Sequence, residues 1–469
     1  MKNLTLLLIT CLVTSISSCF GQADQKLAKE IFKELIEINT TNSVGDNTKA
    51  AEAMAKRLRV AGFSDSDIFV GGPVERKGNL VATLRGSGKA KPVLCLAHID
   101  VVEALPEDWS FDPFTFKELD GYFYGRGTSD DKAMAAIFIA NLIRLKQEKY
   151  VPDGNIIVAL TSDEEGGDFN GVDWLLKNHK DLIDSELALN EGGRGQKKDG
   201  KKIANSVQLG EKVYQSFSLE VKNRGGHSSM PRKDNAIYQL THSLENISKY
   251  EFPINLNDGT RAFFELSSKI ETGQLSSDMK NIITASPDKE VVARFSEMPM
   301  YNALLRTTCV ATQLKGGHAE NALPQTATAV INCRILPGED PQKIKEKLIS
   351  LVDNPEISVT AVRPSKPSQP SPLSPRVFGP IRSITEQMWP GIPVIPTMST
   401  GATDGLYLRN AGIPTYGVSG IFSDINDVRA HGRDERIEIE SFYEGQEFLY
   451  RLVKELTSKK LASLPSKKK

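Results

Sequence analysis

The sequence predicts an α/β protein: a mixed, largely parallel sheet flanked by helices, into which a smaller α+β domain is inserted. Three observations lead to this prediction. Short apolar runs alternate with helical patterns in the first half of the chain, an apolar/polar alternation begins near residue 211, and the Pro/Ser-rich run RPSKPSQPSPLSPR precedes a return to the first pattern. Strands joined by helices pair in parallel, because the crossover returns the chain to the same end of the sheet.

The elements of the first domain follow in order. Two stretches with helical spacing, QKLAKEIFKELIEINT and TKAAEAMAKRLRVAG, precede the strand-like runs NLVATLRG, KPVLCLAHID, NIIVALTSDEE and SELALNEGG. The amphipathic patterns KAMAAIFIANLIRLKQEK and VDWLLKNHKDLI separate the last three of these runs and predict helices. Each strand-like run ends in polar residues or glycine, as strands do where a sheet meets its loops.

The inserted domain has its own pattern. KVYQSFSLEVKN and TATAVINCRILPG predict strands, and NAIYQLTHSLENISKY and DPQKIKEKLISLVD predict helices. The helix VFGPIRSITEQMW and the strand PTYGVSG then resume the first domain. We therefore expect residues 22–210 and 366–469 to form one domain and residues 211–365 the inserted one, since 469 residues exceed one ordinary core.

The N-terminus predicts export. Residues 1–21 have the pattern of a signal peptide, with one early Lys before an apolar stretch too short to span a bilayer. This predicts a secreted or periplasmic protein. The stretch ISSC also resembles a bacterial lipoprotein signal, so a lipid anchor at Cys19 is the alternative to a soluble form. No later segment of the sequence is apolar enough to span a membrane.

Charge and cysteine content narrow the function. With 58 basic and 59 acidic residues, the chain has no excess of positive charge for nucleic acid. Cys11 and Cys19 belong to the predicted leader. Cys95 and Cys333 lie in apolar, strand-like runs, which favours buried free thiols. Together with Cys309 they are too scattered to indicate a disulfide framework or a zinc knuckle.

Several acidic residues and one histidine come at the ends of the predicted strands. His98 ends one strand, Asp130 and Asp131 precede a helix, and DEEGG and then Glu191 follow the next two strands. Each has a simple structural explanation, such as helix capping for Asp131. Together they would meet at the sheet edge where α/β folds bind ligands. Carboxylates that meet there repel one another by roughly several kcal/mol, and cations remove that repulsion. A His/carboxylate set without Cys suits zinc.

The motifs HID, GRGTSDDK, TSDEEGG, NEGG, GGHSS and HGRDE, in this order, resemble those of the dinuclear zinc exopeptidase family. That family includes aminoacylase-1, glutamate carboxypeptidase, carboxypeptidase S and succinyl-diaminopimelate desuccinylase. The resemblance covers nearly the whole chain after the leader. It implies a zinc exopeptidase catalytic domain, an inserted dimerisation and lid domain, and hence a homodimer. It also implies two Zn²⁺ ions, although Co²⁺ or Mn²⁺ suits the same ligands.

The resemblance assigns the catalytic residues one by one. Asp130 resembles the carboxylate that bridges the two metals, and the remaining ligands are His98 and Glu191 for one metal and Glu165 and His431 for the other. Glu164 resembles the general base, and Asp100 resembles the acid that orients His98.

The resemblance also assigns residues of the inserted domain and the late loop. His227 resembles the residue that reaches the partner subunit's site and hydrogen-bonds the oxyanion. Asn321 and Arg334 match positions linked to substrate polarisation and carboxylate binding, for which an Arg fork is suited. Gly401 matches a substrate-binding turn.

These roles predict a hydrolase that cleaves an amide or peptide bond beside a free carboxylate, of carboxypeptidase or dipeptidase type. A water activated by two zinc ions would attack, with Glu164 as general base. An N-acyl-amino-acid hydrolase is an alternative, because Glu191 and the long segment 245–315 resemble the carboxypeptidase S and secreted N-acyl-amino-acid hydrolase branch. A non-catalytic binding module is a third reading, against which the complete ligand set argues.

Overall fold

A computed structural model of the chain describes residues 21–458. Residues 1–20 of the predicted signal peptide, including Cys19, lie outside the described residues. Within 21–458, no helix combines the length and the apolar character that a membrane crossing requires.

The described residues form two compact units. The second unit comprises Gln208–Pro372 and Pro396–Asn410, and the first comprises the remaining described residues. The second unit thus contains the segment expected to be inserted, together with a short stretch that follows the Pro/Ser-rich run. The domain boundaries at 211 and 365 stay predictions.

A ten-stranded sheet lies mainly in the first unit, and the last residues of its strands β9 and β16 belong to the second unit. Its strands in spatial order are β1 (Ile68–Gly71), β2 (Asn79–Leu84), β6 (Ile156–Thr161), β3 (Val93–His98), β7 (Leu187–Asn190), β17 (Thr415–Gly417), β9 (Lys201–Glu211), β8 (Gly195–Lys198) and β18 (Phe422–Asp424), with β16 (Val394–Ser399) paired to β9. Strands β6, β3, β7 and β17 are parallel, and β1 and β2 are antiparallel. The prediction of a mixed, largely parallel sheet is confirmed. A smaller sheet contains β4 (Lys117–Leu119), β5 (Tyr122–Tyr124) and β19 (Arg436–Glu438).

The helices of the first unit depart from the predicted pattern in two places. They are α1 (residues 21–37), α2 (Asn47–Val60), α3 (Lys132–Gln147), α4 (Gly171–Asn178), α5 (Lys180–Ile183), α12 (Pro375–Met388) and α14 (Ile439–Leu456). We expected α3 to be amphipathic, but 13 of its 16 residues are buried because it contacts both β3 and α14. The run VDWLLKNHKDLI forms two helices rather than one, since the backbone leaves helical geometry at His179.

The second unit contains a four-stranded antiparallel sheet. Its order is β12 (Thr308–Gly316), β14 (Thr326–Ile335), β10 (Val213–Lys222) and β15 (Ile357–Ala361). Alternate residues of β10 and β14 are buried, as the apolar/polar alternation predicted. Their apolar side chains pack against α6 (Ala236–Ser248) and α11 (Pro341–Val352). A short ribbon pairs β11 (Gly226–His227) with β13 (Ala322–Leu323).

The long segment 245–315 contains four helices that the sequence analysis did not resolve. They are α7 (Asp258–Ser267), α8 (Gly273–Ile282), α9 (Lys289–Ser296) and α10 (Pro299–Leu305). These helices have an apolar cluster of their own, in which Phe264, Phe295 and Leu305 are buried. A last helix of the second unit is α13 (Gly405–Asn410).

The cysteines correct one expectation. Cys333 is not a free thiol but forms a disulfide with Cys309. The two residues face each other in register on β14 and β12, with their Cα atoms 4.1 Å apart. Only strand pairing brings them together, so their spacing in the sequence did not reveal it. Cys95 is a buried free thiol, as predicted, and burial raises its pKa to about 12.

Candidate metal centre

Parallel strands of the first unit end at one edge of the sheet and carry the predicted ligands there. Strands β3 and β6 pair so that His98 lies beside Thr161, and β7 pairs in parallel with β3 on its other side. The acids at 163–165 follow β6, and Glu191 follows β7 directly. Carboxyl ends of adjacent parallel strands lie at the same edge, which explains why residues far apart in sequence meet.

Two groups of possible metal ligands share Asp130. They are His98, Asp130 and Glu191 in one group and Asp130, Glu165 and His431 in the other, with one ligand atom of each residue within 4.8 Å of the others. His98 Nε2 lies 3.0 Å from Asp130 Oδ1, and His431 Nε2 lies 3.2 Å from Asp130 Oδ2. All five residues predicted to hold metal therefore lie together, with Asp130 between the groups.

The two histidines are in a strongly acidic environment. Hydrogen bonds to Asp130 and Glu165 raise the pKa of His431 to about 10. Burial alone would lower the pKa of His98, but Asp100 and Asp130 raise it well above its ordinary value. Acids that stabilise protons on both rings would equally stabilise cations bound between them.

The carboxylates of the site fit the same conclusion. Burial raises the pKa of Glu191 well above its ordinary value, and the nearby Glu164 and Asp130 raise it further. Asp130 is half-buried, and although its desolvation raises the pKa, hydrogen bonds from the two histidines hold the pKa of Asp130 below the usual range. Partly buried acids this close to one another are stable as ions only beside positive charge. A shared carboxylate with one imidazole and one further carboxylate on each side suits a pair of divalent cations.

Asp100 contacts both halves of the site. Its backbone carbonyl oxygen lies 3.0 Å from His98 Nδ1, whereas its carboxylate is 3.6 Å from that nitrogen and acts on the ring by its charge. The carboxylate instead accepts hydrogen bonds from the backbone N–H of Glu164 at 3.2 Å and of Glu165 at 2.9 Å. The residue predicted to orient His98 therefore also fixes the backbone of the predicted base.

Glu435 supports the loop that carries Asp130, and the sequence analysis did not single it out. Its fully buried carboxylate accepts from Arg126 Nη1 at 2.7 Å and from the backbone N–H groups of Gly127, Ser129 and Asp130 at 3.1, 2.7 and 3.2 Å. Its only sequence signal was its place in HGRDER, four residues after His431.

Asp131 and Lys132 complete this loop. Asp131 is at the N-cap of α3 but its side chain makes no capping hydrogen bond, contrary to the simple structural explanation. Burial raises its pKa well above the ordinary value. Lys132 is fully buried and donates to the carbonyl oxygens of Leu35 and Ile38 at 2.9 and 2.8 Å, at the end of α1. Burial lowers the pKa of Lys132 to about 7.

Two predicted residues of the second unit lie side by side. His227 is exposed on β11, and its Nδ1 is 2.7 Å from Ser229 Oγ. The backbone carbonyl oxygen of Asn321 accepts from the N–H of Ser228 at 3.0 Å. The neighbours His227 and Ala322 are paired residues of the β11–β13 ribbon.

Arg334, another predicted residue of the second unit, contacts the residue that precedes Gly401. The Arg334 guanidinium lies 4.6 Å from the centre of the Tyr214 ring and donates to the Thr400 carbonyl oxygen at 3.2 Å. The N–H of the next residue, Gly401, donates to Ser399 Oγ at 3.0 Å. A Cβ at Gly401 would meet only that oxygen, at 3.4 Å, so the fold itself does not require glycine there.

Comparisons with known proteins agree with the family resemblance of the sequence motifs. A family model described as "Peptidase family M20/M25/M40" matches residues 94–455. The human N-fatty-acyl-amino acid synthase/hydrolase PM20D1 is 28% identical over 457 residues, which cover 93% of this chain and 89% of that protein. A probable carboxypeptidase S-like 2 from Dictyostelium discoideum is 29% identical over 382 residues, covering 78% and 71%. The crystal structure of the M20 family metallo-carboxypeptidase Sso-CP2 from Sulfolobus solfataricus has a similar fold, with TM-score 0.65, 19% identity, and coverage of 92% and 99%.

Proposed function

Because the chain belongs to peptidase family M20/M25/M40 and is a metal-dependent hydrolase of C–N bonds, we propose that it cleaves an amide or peptide bond beside a free carboxylate, as a carboxypeptidase or dipeptidase does. One observation carries the proposal: two ligand groups share Asp130, and Glu164 lies directly before the ligand Glu165 in the loop that follows β6. The order of these two acids provides a ligand and, next to it, a base.

The proposed roles follow from the contacts. Two divalent cations, which we propose to be Zn²⁺, would supply Lewis-acid polarisation and acidification of water at this site. Glu164 would take a proton from water and pass it to the leaving amine, with its backbone fixed by Asp100. Arg334, directed by Tyr214 and the Thr400 carbonyl, would bind the substrate carboxylate. Asn321 and Gly401 would complete that binding.

The test is Glu164→Gln, which keeps the size of the side chain and removes the base. We expect the variant to retain about two zinc ions per chain and to lose about 10²- to 10⁴-fold in kcat, the usual contribution of a general base. Glu107→Gln, at an exposed position of the first unit, is the matched control. Normal turnover by the Glu164 variant would refute the mechanism.

An N-acyl-amino-acid hydrolase is the second candidate, favoured by the similarity to human PM20D1 over 93% of this chain. Metal-loaded protein offered dipeptides, N-acetyl amino acids and N-fatty-acyl amino acids with the same C-terminal residue would distinguish the two. Because all three substrates share the same C-terminal residue, a difference in turnover reports the group on the other side of the amide bond. The group that is cleaved fastest therefore identifies the substrate class.

The homodimer is a proposal that rests on strand β12. This strand is at one edge of its sheet, and among the described residues it pairs only with β14. Val310 and Leu314 on β12 are each 61% exposed, so an apolar edge is available for pairing with a second copy. Val310→Lys with Leu314→Lys should sediment as a monomer, whereas Val362→Lys, at another exposed position, should stay dimeric. A wild-type monomer would contradict the proposal and, with it, the action of His227 in the partner's site.

The location is likewise a proposal: secreted or periplasmic, with the lipid anchor at Cys19 as the alternative. The leader pattern supports export, and so does the disulfide between Cys309 and Cys333, because such bonds persist in oxidising compartments. Fractionation of cells that express the full chain, with Cys19→Ser as the comparison, separates a soluble from an anchored product.

A further inference from the structure

Asp163 is a buried acid that the proposed mechanism does not use. It belongs to neither ligand group of the described residues, yet only 1% of its side chain is exposed. Its Oδ1 forms an ion pair with Lys77 Nζ, and Lys77 is also buried. Its Oδ2 accepts from the Phe169 N–H at 3.2 Å. A buried charge is retained at such a cost only when it is paired, so the pair needs an explanation.

The Asp163 side chain fills the inside of the loop that follows β6. Its backbone has a φ of 57°, in the left-handed region, and its carbonyl oxygen accepts from Asn170 Nδ2 at 3.2 Å. A Cβ at Gly167 would lie 2.2 Å from Asp163 Oδ2, so only glycine fits opposite the carboxylate. Lys77 in turn donates to Asn42 Oδ1 at 2.6 Å. The loop is therefore closed around this one ion pair.

We propose that Asp163 and Lys77 are a positioning pair that fixes the direction of Glu164. The inference rests on the proposed function in taking Glu164 as the base. Asp100 binds the backbone N–H groups of Glu164 and Glu165, and the ion pair binds the residue immediately before them. Two separate contacts thus hold three consecutive acids, so the backbone that carries the base cannot shift without breaking one of them.

Loss of both members of the ion pair should lower kcat strongly but lower the melting temperature only a little. Removing one partner leaves a buried charge uncompensated, whereas removing both leaves none. Asp163→Asn with Lys77→Met should therefore melt closer to wild type than either single variant does. Its kcat should nevertheless stay about 10- to 100-fold low, because a small displacement of a catalytic group has that effect. KM should change by less than about twofold, since the substrate contacts are untouched.

The experiment compares the two single variants and the double variant with wild type. Asp173→Asn with Lys177→Met is the control, because these residues form an exposed pair on the adjacent helix α4. Melting temperature, kcat, KM and zinc content are measured for each. Hydrogen exchange of a peptide covering residues 162–170 in metal-free protein gives a readout that does not depend on activity.

We expect the double variant to melt near wild type, with low kcat and faster exchange in that peptide, and the control to match wild type throughout. A stable double variant with wild-type kcat overturns the inference, because positioning would then not need the pair. If wild type hydrolyses no substrate, the proposed function fails, and exchange alone decides: faster exchange supports the anchoring of the loop, and unchanged exchange overturns it.

Discussion

Replacing Glu435 by Gln should destabilise the first unit and loosen the metal site. The carboxylate accepts five hydrogen bonds, two at Oε2 from Arg126 and Gly127 and three at Oε1 from Ser129 N, Ser129 Oγ and Asp130 N. A Gln side chain has one acceptor oxygen, and its amide nitrogen would face at least the two donors at the Oε2 position. Hydrogen bonds to a charged acceptor contribute about 1.5–3 kcal/mol each, which gives a loss of about 3–6 kcal/mol.

A second estimate agrees, because removing one partner of a buried ion pair costs about 3–5 kcal/mol. Urea titration of metal-free protein checks this, with tryptophan fluorescence as the probe, since all three tryptophans belong to the first unit. Glu440→Gln, exposed on α14, is the control. Arg126→Met combined with Glu435→Gln should recover part of the loss. A Glu435→Gln protein within about 1 kcal/mol of wild type would refute the reasoning.

Three further predictions concern other parts of the chain. The double variant Cys309→Ala with Cys333→Ala should lower the unfolding free energy of the second unit by about 3.5 kcal/mol, the loop-closure value for a separation of 24 residues. Circular dichroism during urea unfolding measures this loss, and an unchanged unfolding midpoint would contradict the prediction. Zinc binding to metal-free protein at about pH 7.5 should release a proton from His431, because its pKa is raised to about 10 and only the neutral ring binds metal. The apparent zinc affinity should therefore fall on acidification. Titration calorimetry in two buffers with unequal ionisation heats measures the released proton, and equal binding heats in both buffers would contradict the prediction. Gly401→Ala should leave the melting temperature unchanged, since its Cβ has room, but should raise KM; an unchanged KM would remove Gly401 from the substrate site.

The sheet and the ligand set were predictable because both leave local patterns. His98 and Glu191 adjoin apolar strand runs, and parallel pairing dictates that such ends meet. Glu435 and Asp163 were not predictable in their roles, because their partners lie 309 and 86 residues away in sequence and only the fold brings them together. Both residues belong to motifs of the family resemblance, TSDEEGG and HGRDE, but the motifs do not show which groups these two side chains bind.

The same reason explains the misjudged elements. The burial of α3 depends on contact with α14, near the other end of the chain, which no window of sequence around residue 140 contains. The pairing of Cys309 with Cys333 depends on strand register. Local sequence patterns therefore predicted most helices and strands. Contacts between residues far apart in the chain determined which groups are buried and which of them are paired.

Because Glu435 and His431 come much later in the chain than the other site residues, their position has a consequence for synthesis of the protein. A ribosome that has made residues up to 191 has already produced one full ligand group, His98, Asp130 and Glu191. The second group and the clamp on the Asp130 loop are complete only after residue 435 has been made. Chains that stop before residue 431 would therefore lack both the second ligand group and the clamp on the Asp130 loop, so that hydrolytic activity requires translation to have passed residue 435.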